Sequence, residues 1–223
     1  MLAMDWTDFA HDEHATIMIS IVTRHGRATP LVWRTMQKHE DKEQRNRHED
    51  EVLRRLREML APQIQVTILD DRGFGDQKLF DFLKYELGFG YVIRFRDNTY
   101  VTSAKGERRK AVQWLSQSGR ARTLRNAPIT AKDSAVNTII CVQVKGMKEP
   151  CCLATSDITA SARTLINYRA KRWGIETAFL DTKDLRFGTG MSLPRIKSTQ
   201  RRDRFFLLNA FDIVLLSLLG KSL

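Results

Sequence analysis

The densest group of reactive side chains lies between Asn167 and Lys183, NYRAKRWGIETAFLDTK. With Arg172 set at zero on a helix, Glu176 falls at about 40°, Lys183 at about 20° and Tyr168 at about −40°. One acid, two bases and one aromatic ring thus share a face about 80° wide. A core-facing stripe would be apolar, and a solvated helix would scatter its charges. A carboxylate flanked by cations suits a metal site that also holds phosphate, although salt bridges between turns of an exposed helix would use the same spacing. Two further acids tip the balance. Asp5 lies in LAMDWTDF, and Asp71 closes QVTILDD. Asp70 and Asp71 are neighbours on a strand, so only one of them can face a shared site. Three carboxylates without a Cys/His cluster favour a hard divalent cation, Mg²⁺ or Mn²⁺. Two such ions would activate a water or a 3′-hydroxyl and stabilise the departing oxygen of a phosphodiester. His11 and His14, in HDEH, have no third ligand at a sensible spacing and read as a solvated loop.

The elements that must position these acids can be read along the chain. LAMDWTDF is a first strand, Thr16 to Arg24 a second and Thr29 to Thr35 a third, with a turn at His25-Gly26. Short turns between them imply antiparallel pairing. Glu40 to Leu60 is an amphipathic helix with Val52, Leu53, Leu56 and Leu60 as its apolar stripe. Gln65 to Asp71 should be a buried strand, Asp76 an N-cap for a helix over Gln77 to Leu87, and Tyr91 to Phe95 a fifth strand. A long helix follows at about 159–186. This β-β-β-α-β-α-β order is that of an RNase H-like α/β fold, a mixed sheet flanked by helices. In that architecture acids on the first strand, the fourth strand and the last helix converge. Residues 1–97 and 158–223 would form the catalytic core, and 98–157 a mainly β insertion before the last catalytic helix. Strand-like runs in the insertion lie at 99–103, 136–145 and 151–155. Trp114, within it, could stack on an exposed base, though an amphipathic Trp more often lies in a core.

Charge separates the two halves of the chain. Residues 1–100 carry 15 Lys+Arg against 17 Asp+Glu, whereas residues 101–223 carry 22 against 9. A polyanion bound by one side of the molecule would explain such asymmetry. Cys141, Cys151 and Cys152 form no CxxC pair and read as small buried residues in a reducing compartment. No GK[ST] follows a glycine-rich loop, which excludes a nucleotide-binding P-loop. Phe205 to Leu219 is an apolar run of 15 residues, too short and too polar at Asn209 and Asp212 to span a bilayer. It reads as a core helix.

Together DWTD, ILDDRGFGDQKLFDFL, GYVIRFR and YRAKRWGIETAFLDTKDLRFGTGMSL resemble a DDE transposase of the insertion-sequence-4 type. The resemblance runs over nearly the whole chain. It implies that Asp5, Asp71 and Glu176 are the catalytic, metal-binding triad of a cut-and-paste transposase dependent on Mg²⁺ or Mn²⁺. It implies that Arg172 and Lys183, with Tyr168, contact DNA. The 104 residues between Asp71 and Glu176 match the subgroup's β insertion. The signature's Tyr falls at 169, where this chain has Arg169, and Tyr168 stands one residue early. The partners implied are transposon ends and target DNA, with a homodimer in the full-length protein and no membrane. The location implied is the bacterial cytoplasm, at the nucleoid. Family members are longer at both ends, so the chain reads as truncated. The alternative is a non-catalytic remnant that binds DNA or full-length transposase.

Overall fold

The computed structural model describes residues 1–23, 26–39, 42–71, 77–129, 134–186 and 188–219. They form a mixed α/β protein of ten strands and four α-helices among the described residues, arranged in two compact units. One unit comprises Met1–Ile64 and Arg172–Leu223, the other Gln65–Lys171.

In the first unit β1 (Leu2–Phe9), β2 (His14–Val22) and β3 (Ala28–Gln37) pair antiparallel in the order β3-β2-β1. Gly26, with φ +76°, supplies a left-handed position in the β2–β3 turn that the sequence expects. The helix α1 (Lys42–Met59) buries Val52, Leu53 and Leu56, as its stripe predicts. Ala3, Phe9 and Met18 from the strands meet Ile175 and Phe179 of α3 (Ala162–Lys183) and Phe206 of α4 (Thr199–Leu219) in one apolar cluster. Period-2 alternation then puts Asp5, between Ala3 and Phe9, on the face turned to α3.

Two expectations in this unit need correction. His14 is not in a solvated loop. It is fully buried on β2, where pairing with Phe9 and Gln37 overrides its polar sequence neighbours. Nor is α4 a core helix throughout. Its first half is anchored through Arg202, whose guanidinium pairs with Asp12 and donates to the Met191 carbonyl at 2.6 Å. Asp203 accepts the backbone N–H of Thr35 at 2.9 Å. From Phe211 onward no residue of the helix is buried among those described, because its buried contacts, at Arg202, Phe206, Asn209 and Ala210, all lie in the first half.

In the second unit the order is β4-β5-β10-β9-β8-β6-β7. β4 (Thr67–Asp70) and β5 (Gly90–Phe95) are parallel and fully apolar at their centres, as strands covered on both faces must be. The helix between them, α2 (Gln77–Asp81), widens into a π turn at Phe82–Glu86 and stops at Gly88, φ +65°. Its expected N-cap, Asp76, lies outside the described residues. The stretch 98–157 contains β6 (Tyr100–Thr102), β7 (Arg108–Lys110), β8 (Arg122–Ile129), β9 (Ser134–Val142) and β10 (Cys151–Thr155). The three cysteines are free and buried there. Among the described residues no helix is long and apolar enough to cross a membrane.

Candidate functional site

β1 and α3 deliver the first two acids. Arg172 follows the buried stripe of α3 one turn ahead of Ile175, and the residue is only 7% exposed. It donates to Asp5 Oδ2 at 2.9 Å and also to Glu176, one turn further along the helix. The helical spacing thus gathers Arg172 and Glu176, and the strand brings Asp5 to the same guanidinium. Asp5 Oδ1 accepts the backbone N–H of Trp6 at 2.9 Å. Trp6 is pinned in turn by its indole N–H to Glu49 at 2.8 Å, so α1 holds β1 at the acid. Burial pushes the Asp5 carboxyl above the usual carboxylate range; Arg172 and the Trp6 N–H oppose that rise, and Glu176 adds to it. A half-desolvated carboxylate beside a second one is a place where a cation is stabilised.

Lys183 lies on the last turn of α3, its ammonium 5.2 Å from the Phe9 ring. Desolvation lowers its pKa below the ordinary lysine value, Lys38 and Arg202 lower it further, and Asp8 opposes them. Two cations near one partly desolvated ammonium form an anion-seeking spot. Asp8 and Lys38, themselves 3.1 Å apart, were not singled out by the sequence reading. Their signal is weak, since both look like surface charges.

Asp71 stands in the second unit, immediately after β4. Asp70 is 2% exposed, whereas the Asp71 carboxylate is 32% exposed, so of the two neighbours Asp71 is the one open to a ligand. Arg94 on β5 approaches Asp71 Oδ1 at 3.8 Å. Burial raises the pKa of the Cys151 thiol, while Arg169 and Arg94 lower it and Asp71 adds to the rise. Arg169, at the position the signature gives to tyrosine, therefore lies within electrostatic reach of this neighbourhood. Tyr168 is half-buried, with the Lys171 ammonium 5.9 Å from its ring.

The basic segment presents Lys105, Arg108, Arg109, Lys110, Arg120, Arg122 and Arg125 to solvent. Trp114 is 2% exposed, with the guanidinia of Arg109 and Arg122 each 5.3 Å from its ring. It is a core residue that aligns two arginines by cation–π contact and is not open to a base.

Among the described residues no three His, Cys, Asp or Glu side chains are gathered closely enough to hold a metal. In the first unit the Asp5 and Glu176 carboxylates are bridged by the Arg172 guanidinium; the Asp71 carboxylate belongs to the second unit. All are hard oxygen donors, and this donor set fits Mg²⁺ or Mn²⁺.

The fold is that of RNase H-like transposase cores. The chain is similar, at TM-score 0.56 and 12% identity, to a structure of piggyBac transposase in a synaptic complex with hairpin DNA. The likeness covers 94% of this chain and 44% of that one, so this chain spans less than half the length of that transposase. Residues 2–208 match the family model described as Transposase DDE domain, and the chain belongs to that family. No curated protein matches it.

Proposed function

We propose that this chain is the catalytic core of a cut-and-paste transposase of the insertion-sequence-4 type, cleaving and joining DNA at the ends of its element. The observation that carries the reading is the meeting of Asp5 and Glu176, from β1 and α3, on the single guanidinium of Arg172. Asp5, Asp71 and Glu176 would hold the divalent cations. These ions, when bound, supply activation of a water or 3′-hydroxyl and charge stabilisation of the departing oxygen. Arg172 orients the two carboxylates of the first unit, and a guanidinium is also suited to meeting a phosphate. Lys183 gives up a poorly solvated position when it meets a phosphate oxygen, which favours the contact. The exposed arginines and lysines of 98–157, the basic insertion, extend the phosphate track. Transposon ends and target DNA are the substrates, and a homodimer of the full-length protein the working form.

A second reading, a non-catalytic product that binds DNA or a longer transposase, is favoured by the exposed apolar second half of α4. Nicking of supercoiled plasmid with Mn²⁺ separates the two. Catalysis by the wild-type chain that is lost in Asp5→Asn, Asp71→Asn and Glu176→Gln supports the first. DNA binding with no nicking by any of them supports the second.

A further inference from the structure

We propose that Arg94 is the positioning residue of Asp71, and that the β9–β10 turn of the basic insertion sets Arg94 in place through Glu149 and Pro150. The inference rests on the reading that Asp71 is a metal-ligating acid, and it adds a control over that acid from a distant segment.

Arg94 interrupts an otherwise apolar strand. β5 reads GYVIRF, its last five residues are buried, and Arg94 itself is 8% exposed. A guanidinium so enclosed must be fully engaged or it is strongly unfavourable. It donates to Glu149 Oε2 at 3.0 Å and to the Pro150 carbonyl at 2.9 Å, both on the turn that leads into β10. Those two bonds fix the fork. The side facing the end of β4 is then left for Asp71, at 3.8 Å. The strand register explains the encounter: Asp70 is level with Ile93 in the parallel β4–β5 pair, so Asp71 is level with Arg94.

The difference between the two distances matters. Arg94 is hydrogen-bonded to the turn but makes only an ion pair with Asp71. An acid locked by a bidentate arginine could not turn its oxygens to a cation, whereas one held by charge at 3.8 Å is oriented without being locked by that arginine. Glu149 shares the positive charge of Arg94, so its removal would draw the guanidinium towards Asp71. The turn carrying Glu149 belongs to the segment that presents the exposed arginines, and movement of that segment on DNA would reach Asp71 through Arg94.

The same contacts would also suit an arginine that merely staples the β9–β10 turn, and the test must separate the two roles. Mn²⁺ binding to the full chain is measured by electron paramagnetic resonance of free Mn²⁺, alongside thermal unfolding, for wild type, Arg94→Gln, Arg94→Lys, Glu149→Gln and Asp71→Asn. Loss of a residue that orients a ligand costs about 10–100-fold in metal affinity. Arg94→Gln should weaken Mn²⁺ binding by that factor, and Arg94→Lys should recover most of it. Glu149→Gln should alter affinity while the chain stays folded, which keeps the test alive should Arg94→Gln fail to fold. Affinity within twofold of wild type in both Arg94→Lys and Glu149→Gln, with Arg94→Gln folded and equally unchanged, would overturn the proposal if Asp71→Asn abolishes binding. Full Mn²⁺ binding and nicking by Asp71→Asn would instead remove the reading on which it rests.

Discussion

Replacing Arg172 by Gln removes a guanidinium that touches Asp5 and Glu176 at once and leaves two carboxylates facing each other. The size of the effect follows from exposure. The Arg172 side chain is 8% exposed, Asp5 22% and Glu176 35%. Deleting one partner of a buried pair costs about 3–5 kcal/mol and of an exposed pair about 0–1, which places this intermediate case at about 2–4 kcal/mol. For a chain of this length that is a fall in Tm of roughly 8 °C, at about 2–4 °C per kcal/mol.

The loss should depend on pH in a stated direction. Burial raises the folded-state pKa of Asp5, and Arg172 is the largest influence holding it down. Without Arg172 that pKa rises further. An acid whose folded pKa is raised is most favourable to the fold below its unfolded value, here the ordinary 3.8, and loses that contribution as pH climbs through the folded value. The deficit of Arg172→Gln should therefore be small near pH 4 and grow towards neutrality. Adding Asp5→Asn should return part of it, because one of the two opposed charges is gone. Urea unfolding of the three variants between pH 4 and 7 is the assay. A deficit that is constant over this range, and unrelieved by Asp5→Asn, would mean that Arg172 acts through the packing of its stem.

Three other outcomes are expected. Lys183→Met should leave the fold at neutral pH as stable as wild type or more so, because a base with a lowered folded pKa costs stability while protonated; that cost builds as pH falls through the folded value. The same variant should reduce the slope of log Kd against log salt for duplex DNA by about 0.9, one phosphate contact, and an unchanged slope in fluorescence anisotropy would remove Lys183 from the interface. Gly188→Ala should cost more than the 1–3 kcal/mol usual for overpacking, since a Cβ there would overlap the Asp181 carbonyl and lie 2.9 Å from the Asp184 carbonyl oxygen, both backbone; chemical denaturation reads it. Leu208, Phe211 and Leu215 on α4 are 61%, 59% and 56% exposed, so the isolated chain should self-associate as concentration rises, and Leu208→Glu with Leu215→Glu should shift it towards monomer in light scattering.

What was legible in the sequence was what local pattern determines. The β-rich, mostly apolar runs of β2, β4 and β5, the stripe of α1 and the one-face grouping of Arg172 and Glu176 need only near neighbours for their explanation. β7 and β8 were not legible: RRK and RTLRNAPI have no apolar run, and β8 is a strand because β9 pairs along it in antiparallel register from Arg122↔Cys141 to Ile129↔Ser134. His14 was misplaced for the same reason, its burial being decided by Phe9 and Gln37 across the sheet. Among the candidate residues, the acids were visible as acids and Arg172 as a neighbour of Glu176, but the pairing of Arg172 with Asp5 and of Arg94 with Asp71 was not. Glu149 lies 55 residues from Arg94, and Asp5 lies 167 from Arg172. The trace that remains in the sequence is an arginine where β5 should be apolar. An enclosed guanidinium of that kind requires acids to meet it, and here one of those acids is Asp71. A charged residue inside a buried strand thus points to the acid it attends, even where that acid's own sequence neighbourhood looks like an ordinary turn.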